Sequence, residues 1–187
     1  MEAHMSDKRL VLHLRLVRLK TPDARLAMVQ RFAALATVDG VAHMGWVDST
    51  SDASTHDLAL FVYLRDAHSL ERFGTNARHI EFLAESFLPA VRDFVSLDLT
   101  VEGAPPATYE RATCLCLDIP AAAYEWQVDS TLRALAGDAD ASSLGRALNK
   151  RQPFRAGGIV FGEASTQTGE TIVQSVLSVA GRATPLA

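Results

Sequence analysis

Six histidines, at positions 4, 13, 43, 56, 68 and 79, are the side chains of this chain that can trade protons near neutral pH, and His79 has the most telling surroundings. It follows Asn76-Ala77-Arg78 and precedes Ile80-Glu81-Phe82, a helical pattern, which puts it in the first turn of a helix. There the positive end of the backbone dipole favours the neutral imidazole and leaves a lone pair free at pH 7. Such a group can act as a general base.

His13 and Arg15 are the second place to look for chemistry. In the run Leu12-His13-Leu14-Arg15-Leu16-Val17 the leucines share one face of a strand, and His13, Arg15 and Val17 share the other. The leucine face should enter a core, leaving His13 and Arg15 under the helices, where an unpaired guanidinium is unfavourable. Arg15 therefore either pairs with an acid such as Asp98 or faces a polar cavity and binds an anionic group, a carboxylate or an enolate. His56 at a turn and His43 on a strand read as ordinary surface or half-buried residues. The histidines show no HxxxH or HxH spacing, and Cys114 and Cys116 point to one strand face, where they cannot bridge each other, so buried thiols and no metal site are expected. No cofactor motif is present: Gly157-Gly158 lacks the strand-glycine-helix context of a phosphate loop and reads as a bulge or a close strand approach.

The elements that must position these groups follow from pattern. Residues 10–19 read as a strand covered on both faces. Thr21 and Pro22 suit the cap and first position of a helix whose buried stripe would be Leu26, Val29, Phe32, Ala33 and Leu35, stopped by Asp39-Gly40. Strands are expected at 41–47 and 56–64, and Asp57, Phe61 and Tyr63 should face the barrel interior. A helix capped by Asp66 should bury Leu70 and Phe73, and a second helical segment should span 79–91, followed by a fourth strand at 94–101. That order, βαββαβ, is a ferredoxin-like α+β unit over residues 10–102. Gly103-Ala104-Pro105-Pro106-Ala107 marks a linker, residues 103–110. Residues 111–187 then read as a shortened βαββ repeat: strand 112–117, helix 120–136, a short helix at 142–148, and strands at 154–162 and 171–179 separated by a turn at 163–170. A sheet covered on one face leaves the other bare, so two such faces must meet. They could meet within one chain, as a pseudo-dimer barrel, which buries both faces without a partner, or between chains of a homodimer.

Length and composition bound the rest. The chain has 187 residues, is 48% hydrophobic and 21% charged, and carries a net charge of -4, the make-up of a globular protein without a basic face for nucleic acid. No apolar run reaches the ~20 residues of a membrane span. The opening residues, 1–9, have neither the apolar core nor the cleavage site of a signal peptide and read as a tag-like or disordered start, so a cytoplasmic location is expected.

The first unit resembles the stress-responsive A/B barrel (Dabb) family of the dimeric α/β-barrel superfamily. The resemblance covers about residues 10–102 and rests on His13 in the first strand, Asp57-Leu58-Ala59-Leu60, the helix Ser69-Leu70-Glu71-Arg72-Phe73, Asn76-Ala77-Arg78-His79 in place of the family's H-P-A-H, and a closing strand with Asp98. A plant polyketide cyclase of the family uses a histidine matching His79, held by an aspartate matching Asp98, for acid-base ring closure. The cyclase's assisting tyrosine corresponds to Phe73 here, a further histidine to Leu58, and the first H of H-P-A-H to Asn76.

The resemblance implies a cofactor-independent acid-base enzyme on a small apolar, anionic or polyketide-like substrate, of cyclase, isomerase or lyase type. His79 would be the base and Asp98 its orienting partner, while Arg15 with His13 would hold a developing oxyanion. Leu58, Leu60, Phe73 and Phe82 would line the substrate pocket. The alternatives are a non-catalytic small-molecule-binding or stress-response protein, and an oxygenase of the wider superfamily. No residue of the second unit matches His79 or Asp98.

Overall fold

The computed structural model describes residues 9–137, 141–149, 154–162 and 174–186. The elements, in chain order, are β1 (Leu10–Leu19), α1 (Ala24–Ala33) running on into a 3₁₀ turn (Ala34–Thr37), β2 (Val41–Ser49), β3 (Leu58–Leu64), α2 (Ala67–Thr75), α3 (Ala77–Phe82), a π-helical stretch (Leu83–Phe87), α4 (Leu88–Ala90) and β4 (Val91–Val101). The second half holds β5 (Arg111–Asp118), α5 (Glu125–Ala136), β6 (Ala141–Ala147), β7 (Ala156–Phe161) and β8 (Ser175–Leu186).

The eight strands close into one antiparallel barrel in the order β1-β3-β2-β8-β5-β7-β6-β4. Each half contributes four neighbouring strands in the same ferredoxin-like arrangement, with its first and third strands at the centre. The pseudo-dimer barrel expected from the sequence is thus formed inside a single chain. Its interior is filled by the inward sides of every strand, Leu12, Leu14 and Leu16 of β1 with Phe61 and Tyr63 of β3 and the thiols Cys114 and Cys116 of β5 among them. The opposite faces are covered by helices. α1, α2 and the α3–α4 stretch pack over β1, β2 and β3, and α5 packs over β5 and β7. An ion pair fastens a helix to a strand in each half, Arg25 of α1 with Asp48 of β2 and Asp129 of α5 with Arg146 of β6.

The two seams between the halves, β2 against β8 and β4 against β6, each carry a glycine where the backbones approach. A Cβ on Gly181 would sit 1.8 Å from the Asp48 carbonyl oxygen, and one on Gly145 would sit 1.9 Å from that of Thr100. Gly157 and Gly158 show the close strand approach expected of them, facing the Leu115 and Ser143 carbonyls.

Several sequence expectations are corrected. The second unit is not cut down to three strands, because residues 141–147 form β6 rather than a short helix. Its inward positions are small, Ser143 and Gly145, so the strand shows no apolar alternation. The helix after Thr21-Pro22 begins two residues later, with Asp23 at its cap and no side-chain hydrogen bond there. Leu26 is exposed, and Met28 takes its expected place in the core with Val29 and Phe32. The second helical segment ends at Ala90, and β4 starts at Val91 rather than residue 94. Residues 1–8, the turn expected at 163–170 and the strand start expected at 171–173 lie outside the described residues. No described helix is long and apolar enough to cross a membrane.

Candidate functional site

Strand alternation turns His13 and Arg15 of β1 away from the barrel interior and under the helices, as the sequence pattern requires. The chain after β3 then reverses over them. Asp66 caps α2 by accepting a hydrogen bond from the Ser69 amide at 2.7 Å, and Asn76 caps α3 by accepting one from the Arg78 amide at 3.0 Å. With both starts fixed, Phe73 falls in the last turn of α2 and His79 in the first turn of α3, and both side chains point down onto the sheet. Their rings lie against each other at a tilt of 33°, with centroids 4.4 Å apart. His13 lies edge-on to His79 at 6.4 Å and beside Phe73 at 6.2 Å.

These groups enclose a small cavity in which the centre of a water molecule could occupy about 10 Å³, room for roughly one water. Its walls are His13, Arg15, Leu60, Phe73, His79 and Phe82, with Phe32 and Val62. Six of the eight side chains expected at the site therefore surround one space. Leu58 belongs to the same apolar cluster but does not reach the cavity wall, and neither does Asp98.

Asp98 has a different partner from the one implied by resemblance. It stands directly opposite His13 in the β1–β4 ladder, and its Oδ1 lies 2.5 Å from His13 Nδ1. The carboxylate thus holds His13 rather than His79. Nδ1 carries the hydrogen towards Asp98, so in the neutral ring Nε2 keeps the lone pair. That Nε2 is buried and has no hydrogen-bond partner, and the same holds for His79 Nδ1 and Arg15 Nε. Buried polar atoms are nearly always paired, so three unpaired nitrogens on side chains that share one cavity wall are exceptional.

The electrostatics keep both imidazoles neutral. Burial lowers the His13 pKa, assisted by the Arg15 charge, while the bond to Asp98 acts in the opposite direction. His79 is brought down to about 4, first by burial and then by the charges of Arg15 and His13, while hydrogen bonding to the backbone of Gly74 and Phe73 acts in the opposite direction. Arg15 falls to about 10 through burial and stays a cation at neutral pH. Its guanidinium lies over the Phe87 ring, 5.0 Å from the centroid, and no carboxylate of the described residues forms an ion pair with it. One fixed positive charge, two neutral imidazoles and an apolar lining suit an oxygen that carries or develops negative charge.

The remaining histidines are placed differently. His43 Nε2 is hydrogen-bonded to the Tyr109 hydroxyl at 2.8 Å, and His56 is buried against Thr55, its Nδ1 2.8 Å from the hydroxyl. A wider groove of about 800 Å³ runs between α5 and β6 past Arg133 and Arg146. Among the described residues its lining holds no imidazole, and Arg146 is already paired with Asp129 and Glu125.

No family model and no curated protein matches the chain. Solved structures do. An anthrone oxidase-like protein matches 97% of this chain over 95% of its own length, with a TM-score of 0.62 at 11% identity. A Dabb family protein with a ferredoxin-like fold from Mesorhizobium loti aligns with 53% of this chain over 99% of its own, TM-score 0.42 and 16% identity. A dimeric ferredoxin-like protein from Thermobifida fusca aligns with 54% over 98%, TM-score 0.46 and 19% identity. The chain is therefore a ferredoxin-like α+β protein whose two halves close a single barrel, similar over 97% of its length to an anthrone oxidase-like structure.

Proposed function

We propose that the chain is a cofactor-independent acid-base enzyme that abstracts a proton next to a carbonyl in a small substrate, in a reaction of cyclase, isomerase or lyase type. The observation that carries this reading is the convergence of three unpartnered nitrogens, His13 Nε2, His79 Nδ1 and Arg15 Nε, on side chains lining one apolar cavity. His13 is the base. Its Nε2 takes the proton, the C–H electron pair moves into an enolate, and Asp98 stabilises the imidazolium through Nδ1. Arg15 donates to the enolate oxygen, supplying the stabilisation that a phenol gives in the cyclase. His79 is the second imidazole; neutral at pH 7, it positions the carbonyl, and the His13 imidazolium returns its proton to carbon or to a leaving group.

The test is deuterium incorporation from D2O next to the carbonyl of a series of small ketones and β-keto acids. The wild-type chain should accelerate exchange for at least one member, and His13→Gln, folded by circular dichroism, should lose about 10²-fold or more of that acceleration. Exchange no faster than buffer across the series, or an unaltered His13→Gln, rejects the reading.

The small volume of the cavity favours a second reading, in which it captures a small anion without turning it over. Formate would then shift the His13 and His79 ring signals, and no substrate would exchange. Oxygenation, the chemistry in the name of the anthrone oxidase-like neighbour, stands behind both, because at 11% identity that likeness carries the fold alone.

A further inference from the structure

A cavity with room for about one water must open before a carbon compound can enter, and one side chain stands where it could do so. Phe82 lines the inner cavity with His13, Arg15 and His79. It also lines a separate depression of about 100 Å³ on the helical surface, beside Leu35 and a ring of mixed charge, Arg31 and Arg78 with Glu81 and Glu85. No other residue is common to the two walls. The buried ring of Phe82 is thus the partition between the proposed chemistry and the outside, packed against Phe32 at 5.7 Å and Phe87 at 5.9 Å.

Its backbone lies where the helix changes winding. α3 ends at Phe82, and Leu83–Phe87 is π-helical. The Leu83 amide is shared between the His79 and Ile80 carbonyls, and the Leu88 amide reaches back five residues to Leu83. A π turn holds one residue more than an α turn, so moving its hydrogen bonds by one residue swings the side chains at its start without unfolding the helix; such turns recur at functional sites. Phe87, at the far end of the same stretch, carries the Arg15 guanidinium on its ring. A change of winding there would alter the partition and the position of Arg15 together.

We propose that Phe82 is the gate of the His13–Arg15–His79 cavity and sets the size of the ligand that enters, with small carboxylates or carbonyl compounds passing from the depression beside Arg78 once the ring turns. This rests on the cavity being a ligand site, as the proposed function holds. Opening joins the two spaces, so the ligand is limited by the side chain at position 82 rather than by the sheet.

The test uses formate and butyrate as probes on the full chain, with binding followed by the ring signals of His13 and His79 and association rates by relaxation dispersion. Phe82→Ala should speed formate entry at least fivefold and raise butyrate affinity at least tenfold relative to formate, while Phe82→Trp should slow entry. Ile80→Ala trims an exposed side chain on the same helix that lines neither space, and its entry rate should stay within twofold of wild type. Should Phe82→Ala fail to fold, Phe82→Leu shortens the ring and should change rate and preference in the same direction. Binding with equal rates in wild type and the folded Phe82 variants overturns the gate alone. Failure of formate to bind any variant overturns the ligand site on which the gate depends.

Discussion

His13 of β1 and Asp98 of β4 face each other across an antiparallel pair, and the carboxylate accepts the Nδ1 hydrogen of the imidazole at 2.5 Å. Two rigid neighbouring strands hold this pair, so its geometry does not depend on a loop. The carboxylate raises a His13 pKa that burial lowers more strongly. Asp98→Asn removes the raising influence, so the His13 midpoint should move to lower pH and the base should weaken. We expect the rate of proton abstraction to fall by about 10²–10⁴-fold with substrate affinity little changed. An NMR titration of His13 beside steady-state kinetics checks this, and an unmoved midpoint with an unmoved rate would show the pair to be only a strut.

Arg15 poses a conflict between stability and binding. Its guanidinium is mostly withdrawn from water and has a Phe87 ring on one side but no ion pair among the described residues. The cation–π contact is worth roughly 0.5–2 kcal/mol, whereas the desolvation of an unpaired charge is several kcal/mol. Desolvation wins, so Arg15→Met, which keeps much of the volume, should leave unfolding stability unchanged or raise it by about 1–2 kcal/mol. The same substitution should weaken formate binding at least tenfold. Urea denaturation and the formate titration together decide it; a large loss of stability would identify Arg15 as part of the scaffold.

How much of this was legible in the sequence differs between residues for physical reasons. Alternation along β1 set the facing of His13 and Arg15 correctly, because a period of two leaves no third choice. The cap Asp66 placed Phe73, since its short polar side chain marks a helix start, whereas the Asn76 cap that fixes His79 was read only as part of a break between helices. The partner of Asp98 was not legible. Which residue opposes it depends on strand register, and β1 and β4 are brought together by everything folded between them, with a bulge near Arg18 and Leu19. Strand β6 was hidden for another reason: a seam strand packed close to its neighbour needs Ser143 and Gly145 where an ordinary strand shows valine or leucine.

His79 should make the protein sensitive to acid. Its pKa is about 4 in the folded chain against 6.5 for the free side chain, so the folded state favours the neutral ring. The unfolded chain binds the extra proton first as pH falls, and stability therefore drops through this window. It should be complete above about pH 6.5 and decline towards pH 4, by on the order of 3 kcal/mol for this one group. Burial lowers His13 too, which adds to the decline in the same direction. His79→Gln cannot titrate and should flatten the slope of urea midpoint against pH between 6.5 and 4. A slope equal to wild type would assign the acid sensitivity to other groups.

The seams make the last prediction, which concerns the barrel that holds the site. Gly181 of β8 and Gly145 of β6 lie where the two halves join, and an added Cβ would fall within 2 Å of a backbone carbonyl oxygen at both, 1.8 Å from Asp48 and 1.9 Å from Thr100. Backbone cannot yield as a flexible side chain can, because moving it breaks ladder hydrogen bonds on either side. Gly181→Ala and Gly145→Ala should each lower stability by at least about 1–3 kcal/mol. Gly74, inside α2 with nothing within 4 Å of its would-be Cβ, supplies the contrast. Gly74→Ala should be neutral or stabilising by about 0.5–1 kcal/mol, since alanine loses less backbone freedom in a helix. Urea unfolding of the three variants tests the account, and seam variants as stable as Gly74→Ala would mean that the halves are not held together at these two contacts.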